Sequence, residues 1–206
     1  MALTEHLKVG AEFCGWDTLT HLYNKAEGNR DKLLVLSLFK TGGRITEVLE
    51  LTKSAFDFKA SQHSVIVREM NILKKFQHTK EGTVKIEAKR SIPILRRENL
   101  TGEWEALLGK LRHQRIFYGR SLTKPMSRVN AYLIVTAIGK RAGVRVSDHW
   151  FRGMRASQLA EDYGFGVYEL NQFFGWGARN PRNMAERYAS LGWRGLEQRM
   201  LRSGAF

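Results

Sequence analysis

The side chains in this sequence that could do chemistry are mainly cations and hydroxyls, and they fall in four short segments. In the first, TGGRITEVLEL, a double glycine precedes Arg44, and Glu47 follows three residues later. In the second, His149 and Arg152 are three residues apart, a spacing that puts an imidazole and a guanidinium on one face of a helix. Such pairs are common on protein surfaces, so neither segment alone indicates a function.

The other two segments carry lysines and aromatic side chains. KKFQHTKEGT contains Lys74, Lys75 and Lys80, as an ordinary solvated basic turn would. FFGWGARNPRNMAERYAS places Trp176 after a helix-ending glycine, and Tyr188 lies twelve residues further on. Because the chain has six tyrosines, a single one is weak evidence, and the order of the four segments is more informative than any one of them.

Composition limits the kind of protein. With 206 residues, 43% of them hydrophobic, the chain is long enough for one domain with a sizeable core. A formal net charge of +14 favours a polyanionic partner, first nucleic acid and second an anionic membrane surface. A single cysteine, Cys14, excludes a disulfide framework and a zinc site built on several thiolates. Phosphate-loop, dinucleotide and zinc-protease motifs do not occur, although scattered carboxylates could assemble a Mg²⁺ site.

Signals for membranes or secretion are also missing from the sequence. No apolar run approaches the ~20 residues that a membrane-spanning helix needs. The first residues, MALTEHLKVGAEF, lack the basic-then-apolar order of a secretory signal. We therefore expect a soluble, cytoplasmic protein.

Hydrophobic periodicity predicts a mostly helical α+β domain with a small antiparallel three-stranded sheet. The run LLVLSLF within 32–40 is typical of a buried helix. Alternating β-branched residues at 64–73 and 84–94 predict a hairpin with a cationic tip, and 55–58 a third strand. Further helices are predicted over 17–26, 103–115, 147–163, 167–174 and 196–201, and two more begin at 44 and 125. In the helix that begins at 125, Met126, Val129, Leu133 and Ala137 form one apolar stripe.

Taken in order, an arginine, a hairpin lysine, H-x-x-R, G-W and a late tyrosine resemble the tyrosine recombinase/integrase family. TGGRITEVLEL looks like the family's first-arginine box, and DHWFRGMRASQLAEDYG is similar to its H-x-x-R helix, although Gly153 and Met154 replace the residues that often follow the arginine. FFGW matches the box that holds His or Trp, and MAERYAS looks like the nucleophile box. The resemblance covers about 17–191, and its Met-x-x-Arg-Tyr form and long Trp-to-Tyr gap are most similar to archaeal members.

The resemblance implies a site-specific recombinase or integrase that cleaves and rejoins DNA through a 3′-phosphotyrosyl intermediate, without metal, ATP or another cofactor. Its partner would be double-stranded DNA, bound by a homotetramer, with a monomer free in solution. We expect a catalytic domain with a C-terminal tail at 17–206, an N-terminal arm at 1–16, and no room for the separate N-terminal domain that many members use as a clamp.

The same resemblance assigns roles to individual residues. Tyr188 would be the nucleophile, and Arg44 and Arg152 would grip the non-bridging phosphate oxygens with charge-assisted hydrogen bonds. Lys74 would be the general acid that protonates the leaving 5′-oxygen, with Lys75 as a close alternative.

Three further side chains would assist this chemistry. His149 would transfer a proton to or from the tyrosine, Trp176 would hold the phosphate through its indole N–H, and Glu47 would orient a catalytic side chain.

Two other functions and two positions of the tail stay open on the sequence. A type IB topoisomerase uses similar residues to relax DNA without joining two sites, and a DNA-binding module without catalysis would need only the basic surface. The tail after Tyr188, GWRGLEQRMLRSGAF, could dock on a neighbouring protomer or pack on its own domain.

Overall fold

The computed structural model describes residues 15–72, 76–79, 82–85, 88–119, 121–176 and 192–203. The helices are α1 (Trp16–Lys25), α2 (Gly28–Thr41), α3 (Ile45–Leu49), α4 (Thr101–Gly109), α5 (Arg128–Ala142), α6 (Asp148–Tyr163), α7 (Val167–Phe174) and α8 (Trp193–Arg202). The strands are β1 (Phe56–Asp57), β2 (Ser64–Asn71), β3 (Phe76–Thr79), β4 (Gly82–Lys85) and β5 (Lys89–Leu95). This confirms the predicted α+β class. None of the described helices is long and apolar enough to cross a membrane.

The three-stranded sheet is antiparallel, with the strand order β1-β2-β5. Strands β2 and β5 form the predicted hairpin pair, and β1 is the predicted third strand. The stretch 74–83 was expected to be a basic turn, but it contributes to β3 and β4, which pair as a separate two-stranded ribbon. The expected strand over 84–94 is consequently divided between β4 and β5. Phe76 and Val84 are strand-forming residue types, and pairing the two strands satisfies backbone groups that a long turn would leave to water.

A β-bulge in β2 places Met70 on the inward face of the sheet. The pairing register shifts between Val67 and Met70, and Glu69 within the shift has a φ of 47°. Because side chains alternate along a strand, the extra residue keeps Met70 on the same face as Val67. Met70 lies opposite Arg90, whose side chain is buried beside the methionine sulfur, 3.5 Å from its Nη2 atom.

Helix α2 lies at the centre of the helical layer and contacts α1, α4 and α6. Every residue of α2 from Leu33 to Thr41 is buried, which confirms the predicted buried helix. It begins at Gly28, four residues before the expected stretch 32–40. Asp31 lies in the first turn of α2, where a carboxylate interacts favourably with the unpaired backbone N–H groups.

Two helices differ from their predicted limits, and one of them also buries a different face than predicted. Helix α4 ends at Gly109 instead of continuing to 115, and α5 begins at Arg128 instead of Pro125, which pairs with Tyr118 in an isolated bridge. The predicted stripe of α5 is not its buried face, because Val129 is 68% exposed and Leu133 is 58% exposed. The residues of α5 that enter the core are Ala131, Val135, Ile138 and Gly139. The helix has two apolar stripes, and packing against α1 and α3 buries only one of them.

The C-terminal helix α8 packs on its own domain. It contacts β5, with Leu196 and Met200 buried in the core. Arg97, in the turn after β5, donates a hydrogen bond from Nη2 to the Met200 carbonyl at 3.1 Å. Of the two positions left open for the tail, packing on the same domain is therefore the one that α8 adopts.

A buried ionic network joins α2, α4, α6 and the turn after β5. The Glu98 carboxylate accepts hydrogen bonds from Lys40 Nζ at 3.1 Å, Arg155 Nη1 at 3.0 Å and the Tyr163 hydroxyl at 2.9 Å. Lys40 also donates to the Thr101 hydroxyl at 2.7 Å. Burial lowers the pKa of Lys40 to about 8. Burial alone would raise the pKa of Glu98, but Arg155 and Lys40 hold it below its usual value.

Removing the charge of Glu98 is expected to destabilise the fold strongly. In Glu98→Gln, Lys40 and Arg155 stay buried without an anion, and breaking a buried pair in this way costs about 3–5 kcal/mol. Urea unfolding measures the free energy. The matched control is Glu105→Gln, which removes the partly exposed partner of Arg96 and is expected to cost less than about 1 kcal/mol. Equal losses of unfolding free energy in the two variants would show that the buried network contributes no more to stability than the partly exposed ion pair.

The same carboxylate should govern part of the acid sensitivity. Because the pKa of Glu98 is lower in the folded chain than in the unfolded chain, the unfolded chain binds more protons below about pH 4.3. The stability that Glu98 contributes is present above that pH and is lost as the pH falls through its folded pKa. We expect a flatter decline of the unfolding free energy with acid in Glu98→Gln than in the original chain.

Candidate active site

The double glycine brings the start of α3 against the sheet and α7. Gly42 ends α2 with a φ of 56°, and a Cβ atom there would overlap the Phe174 ring. A Cβ atom at Gly43 would overlap the side chain of Met70. Glycine is therefore required at Gly42, and at Gly43 any larger residue would displace the end of the Met70 side chain. Arg44 follows as the N-terminal cap of α3.

Glu47 is buried in the first turn of α3, and its carboxylate lies within 4 Å of three guanidinium groups. Its Oε1 atom lies 2.8 Å from Arg44 Nη1, and its Oε2 atom accepts the Arg44 backbone N–H at 2.9 Å. The same Oε2 atom lies 3.5 Å from Arg90 Nη2 and 3.8 Å from Arg152 Nη1. We call these four residues the arginine cluster. Three guanidinium groups and one carboxylate carry two positive charges in all, which suits the cluster to bind an anion.

Bringing positive charges together in a buried site lowers the pKa values of two arginines in the cluster. Burial, with the positive charges of Arg90 and Arg44, lowers the pKa of Arg152 to about 9, although Glu47 acts in the opposite direction. Burial also lowers the pKa of Arg90 to about 10, with a further contribution from Arg44. Both groups stay protonated at neutral pH, and both would gain interaction energy from an added negative charge.

Backbone carbonyls fix the plane of the Arg152 guanidinium. Its Nη1 atom donates to the Gly42 carbonyl at 2.6 Å, and its Nη2 atom donates to the Phe174 carbonyl at 3.0 Å. The guanidinium carbon lies 4.8 Å from the centre of the Phe174 ring and 5.3 Å from the Trp176 ring, and these rings stack on one another at 4.6 Å. Because α6 is capped by the Ser147 hydroxyl, which accepts the Trp150 N–H at 3.2 Å, the helix that carries Arg152 has a defined start.

Two open clefts border the arginine cluster. Glu47 lines one of about 340 Å³. Arg90 and Trp176 line another of about 400 Å³, together with Lys89 and Trp193. The side chain of Arg44 is 27% exposed, whereas that of Arg152 is 6% exposed. An anion that enters from solvent would thus meet Arg44 first.

Of the predicted site residues, the structure places Arg44 and Arg152 beside the Glu47 carboxylate and Trp176 against the Arg152 guanidinium. His149 lies one turn before Arg152 in α6, with its side chain exposed. The other predicted site residues, namely Lys74, its alternative Lys75, and Tyr188, lie outside the described residues.

Arg90 belongs to the arginine cluster but was not among the predicted site residues. It donates a hydrogen bond from Nη1 to the Phe174 carbonyl, which Arg152 also contacts. A signal for it exists in the sequence, because Arg90 alternates with Ile92 and Ile94 on the inward face of β5. A charged residue on the apolar face of a strand needs a buried partner, and Glu47 is that partner.

Metal binding has no support in the described part of the chain. There, no group of three or more His, Cys, Asp or Glu side chains could hold a metal ion.

The fold resembles that of solved integrases and recombinases. An integrase from mycobacterium phage Brujita is 14% identical with a TM-score of 0.63, and the match covers 97% of this chain and 58% of that protein. The XerH site-specific recombinase, solved bound to its difH substrate, is 17% identical with a TM-score of 0.59, covering 84% and 48%. The XerA recombinase is 18% identical with a TM-score of 0.57, covering 98% and 66%. The chain thus spans about half to two thirds of these proteins.

Sequence comparisons identify the family. No curated protein shows significant sequence similarity to this chain. The family model for the phage integrase family, however, matches residues 16–191, which is most of the chain and includes every predicted site residue. The chain therefore belongs to the phage integrase family, that of the tyrosine recombinases.

Proposed function

We propose that this chain is the catalytic part of a site-specific DNA recombinase or integrase, which cleaves and rejoins DNA through a 3′-phosphotyrosyl bond without metal or ATP. The arginine cluster carries the proposal, because it concentrates two positive charges beside open clefts in a chain of this family. The net charge of +14 supports a DNA partner, since basic side chains that displace counterions from phosphates supply most of the sequence-independent affinity. The DNA-bound state of XerH supports the same partner.

Cleavage forms one bond and breaks another at the same phosphorus. The Tyr188 hydroxyl attacks the scissile phosphate, and its proton passes to His149. The bond from phosphorus to the 5′-oxygen breaks, and that oxygen takes a proton from Lys74 or, as the alternative, Lys75. A phenol has a free pKa near ~10, so nearby cations must stabilise the phenolate as it forms.

The arginine cluster stabilises the charge that builds on the two non-bridging oxygens. Arg44 reaches them from the exposed side of the pocket, and Arg152 is held in one plane by its two carbonyl partners and its stacked rings. Preorganised donors of this kind need no rearrangement during the reaction, which is why they lower the barrier. The indole N–H of Trp176 adds one more donor beside Arg152.

Rejoining reverses these steps with a different 5′-hydroxyl. The phosphotyrosyl bond conserves the energy of the cleaved phosphodiester, so a hydroxyl from another strand can attack it and release Tyr188 without ATP. Exchange between two duplexes requires several protomers, and we propose a homotetramer on DNA. Within each protomer, residues 17–206 form the catalytic domain, after an arm at 1–16.

A nicked suicide substrate tests the proposed function. A nick just beyond the scissile phosphate lets the 5′-hydroxyl fragment diffuse away, so the covalent adduct accumulates and appears on a denaturing gel. We expect an adduct of the chain with the 3′ end of the DNA, formed equally well in EDTA. DNA binding without any adduct would instead support a binding module, and loss of the adduct in EDTA would contradict the metal-free mechanism.

A second assay separates recombination from strand relaxation. A plasmid with one target site reports relaxation of supercoils, and a plasmid with two sites reports deletion or inversion of the segment between them. The proposed function predicts recombinant products from the second plasmid. Relaxation of the first without products from the second would assign a topoisomerase activity.

A further inference from the structure

Arg90 contacts the same protein groups as Arg44 and Arg152, and these groups hold its guanidinium although it borders one of the open clefts. Its side chain is 4% exposed, 3.5 Å from Glu47 and hydrogen-bonded to the Phe174 carbonyl. Its Nε atom is buried without a hydrogen-bond partner in the described part of the chain.

The contacts of Arg90 join parts of the site that come from different elements. Through Glu47 it is linked to Arg44 at the start of α3, and through the Phe174 carbonyl it is linked to Arg152 and to the end of α7. That carbonyl is at the C-terminal end of α7, where unpaired carbonyls concentrate negative partial charge. Arg90 thus holds fixed the two groups that orient the other two arginines.

Charge counting shows what a third arginine adds. Among the groups assigned to the non-bridging oxygens, Arg44 and Arg152 with Glu47 carry one positive charge, which equals the single negative charge of a phosphodiester in DNA, whereas the lysine and His149 act on the leaving and attacking oxygens. When a phenolate attacks, the five-coordinate transition state carries two negative charges. With Arg90 included, the arginine cluster carries two positive charges and matches the transition state better than the bound DNA.

We infer that Arg90 is a positioning residue. It holds Glu47 and the Phe174 carbonyl in place, and its charge makes the arginine cluster interact more strongly with the doubly charged transition state than with the bound DNA. The inference rests on the proposed DNA cleavage. It predicts that losing the Arg90 charge slows cleavage while DNA affinity stays almost unchanged, because the ground state is already balanced by the other residues.

The charge and the hydrogen bonds of Arg90 can be separated by two substitutions. Arg90→Gln keeps a donor but removes the charge, and we expect cleavage at saturating DNA to slow about 10²–10³-fold. Arg90→Lys keeps the charge, and we expect a loss of about tenfold or less, because Arg90 does not itself grip the phosphate. The DNA dissociation constant should change less than about threefold in both variants, because DNA affinity depends on the many backbone contacts outside the pocket.

A neutral substrate provides a readout that a merely structural role would not change. A methylphosphonate at the scissile position replaces one non-bridging oxygen by a methyl group, so the transition state carries one negative charge instead of two. On this substrate the Arg90→Gln loss should shrink to below about tenfold. The matched control is Arg96→Gln, because Arg96 also contacts one carboxylate, Glu105 at 3.2 Å, and one carbonyl, that of Phe58 at 2.8 Å, but lies outside the cluster.

The outcomes distinguish the inference from the function on which it rests. If the original chain forms no adduct, the proposed function fails and the inference fails with it. If the original chain cleaves DNA but Arg90→Gln is as fast, or is slowed equally on both substrates, the inference alone is wrong. If Arg90→Gln does not fold, the cleavage rate of Arg90→Lys tests the inference instead. Because lysine keeps the positive charge, cleavage of the charged substrate slowed about 10³-fold in this variant would contradict a role based on charge.

Discussion

Tyr188→Phe is expected to bind DNA with the affinity of the original chain and to form no covalent adduct. The substitution removes one neutral hydroxyl, so the electrostatic attraction between the basic surface and the DNA backbone is unchanged. The phenyl ring has no oxygen that can attack phosphorus, so cleavage should disappear and not merely slow down. Gel-shift titration measures the affinity, and the suicide substrate measures the adduct.

A second tyrosine provides the matched control for this experiment. Tyr168 lies in α7, is partly buried and precedes Tyr188 in the sequence. Tyr168→Phe removes a hydroxyl without removing the proposed nucleophile, and it should retain full cleavage. An adduct that survives in Tyr188→Phe, or vanishes in Tyr168→Phe, would refute the assignment of the nucleophile.

The second large effect is expected from Arg152→Lys, which should lower the cleavage rate about 10³-fold or more although the charge is kept. A guanidinium donates to the Gly42 and Phe174 carbonyls from two nitrogens and still lies flat against two stacked rings. A lysine has one nitrogen at the end of a flexible stem and cannot reproduce this fork. Single-turnover cleavage at saturating DNA measures the loss.

The control for Arg152→Lys is Arg199→Lys in α8. Arg199 donates to the Gly164 carbonyl at 3.0 Å and lies 4.0 Å from Glu169, so its partners are of the same kinds as those of Arg152, but on the surface. We expect unchanged cleavage in this variant. Cleavage by Arg152→Lys within about tenfold of the original rate would contradict a bidentate role for Arg152.

Local signals in the sequence were enough to predict most elements and part of the site. Glycines mark the ends of α2 and α7, and the Ser147 cap marks the start of α6, because each of these residues satisfies a local backbone requirement. Arg44, Arg152 and Trp176 each lie next to one of these glycines or in the capped helix. The family resemblance then supplied their order, which predicted that they act together.

The features that sequence reasoning missed depend on contacts between distant residues. The partners of Arg90 come from distant parts of the chain, because Met70 lies opposite it after a bulge in the neighbouring strand and Glu47 is more than forty residues away. Lys40 and Glu98 are separated by 58 residues, so no local pattern indicates that both charges are buried. In α5, two apolar stripes fit the same helical period, and tertiary packing alone decides which one is buried.

Peptide mapping of the DNA-linked residue, after trapping on the suicide substrate, tests the central claim most directly. The DNA is digested to a short remnant, the protein is cleaved by a protease, and the modified peptide is identified by mass spectrometry. The proposed mechanism predicts one modified peptide, containing MAERYAS, with the phosphodiester remnant on Tyr188. A remnant on any other side chain, or a linkage through the 5′ end of the DNA, would contradict it.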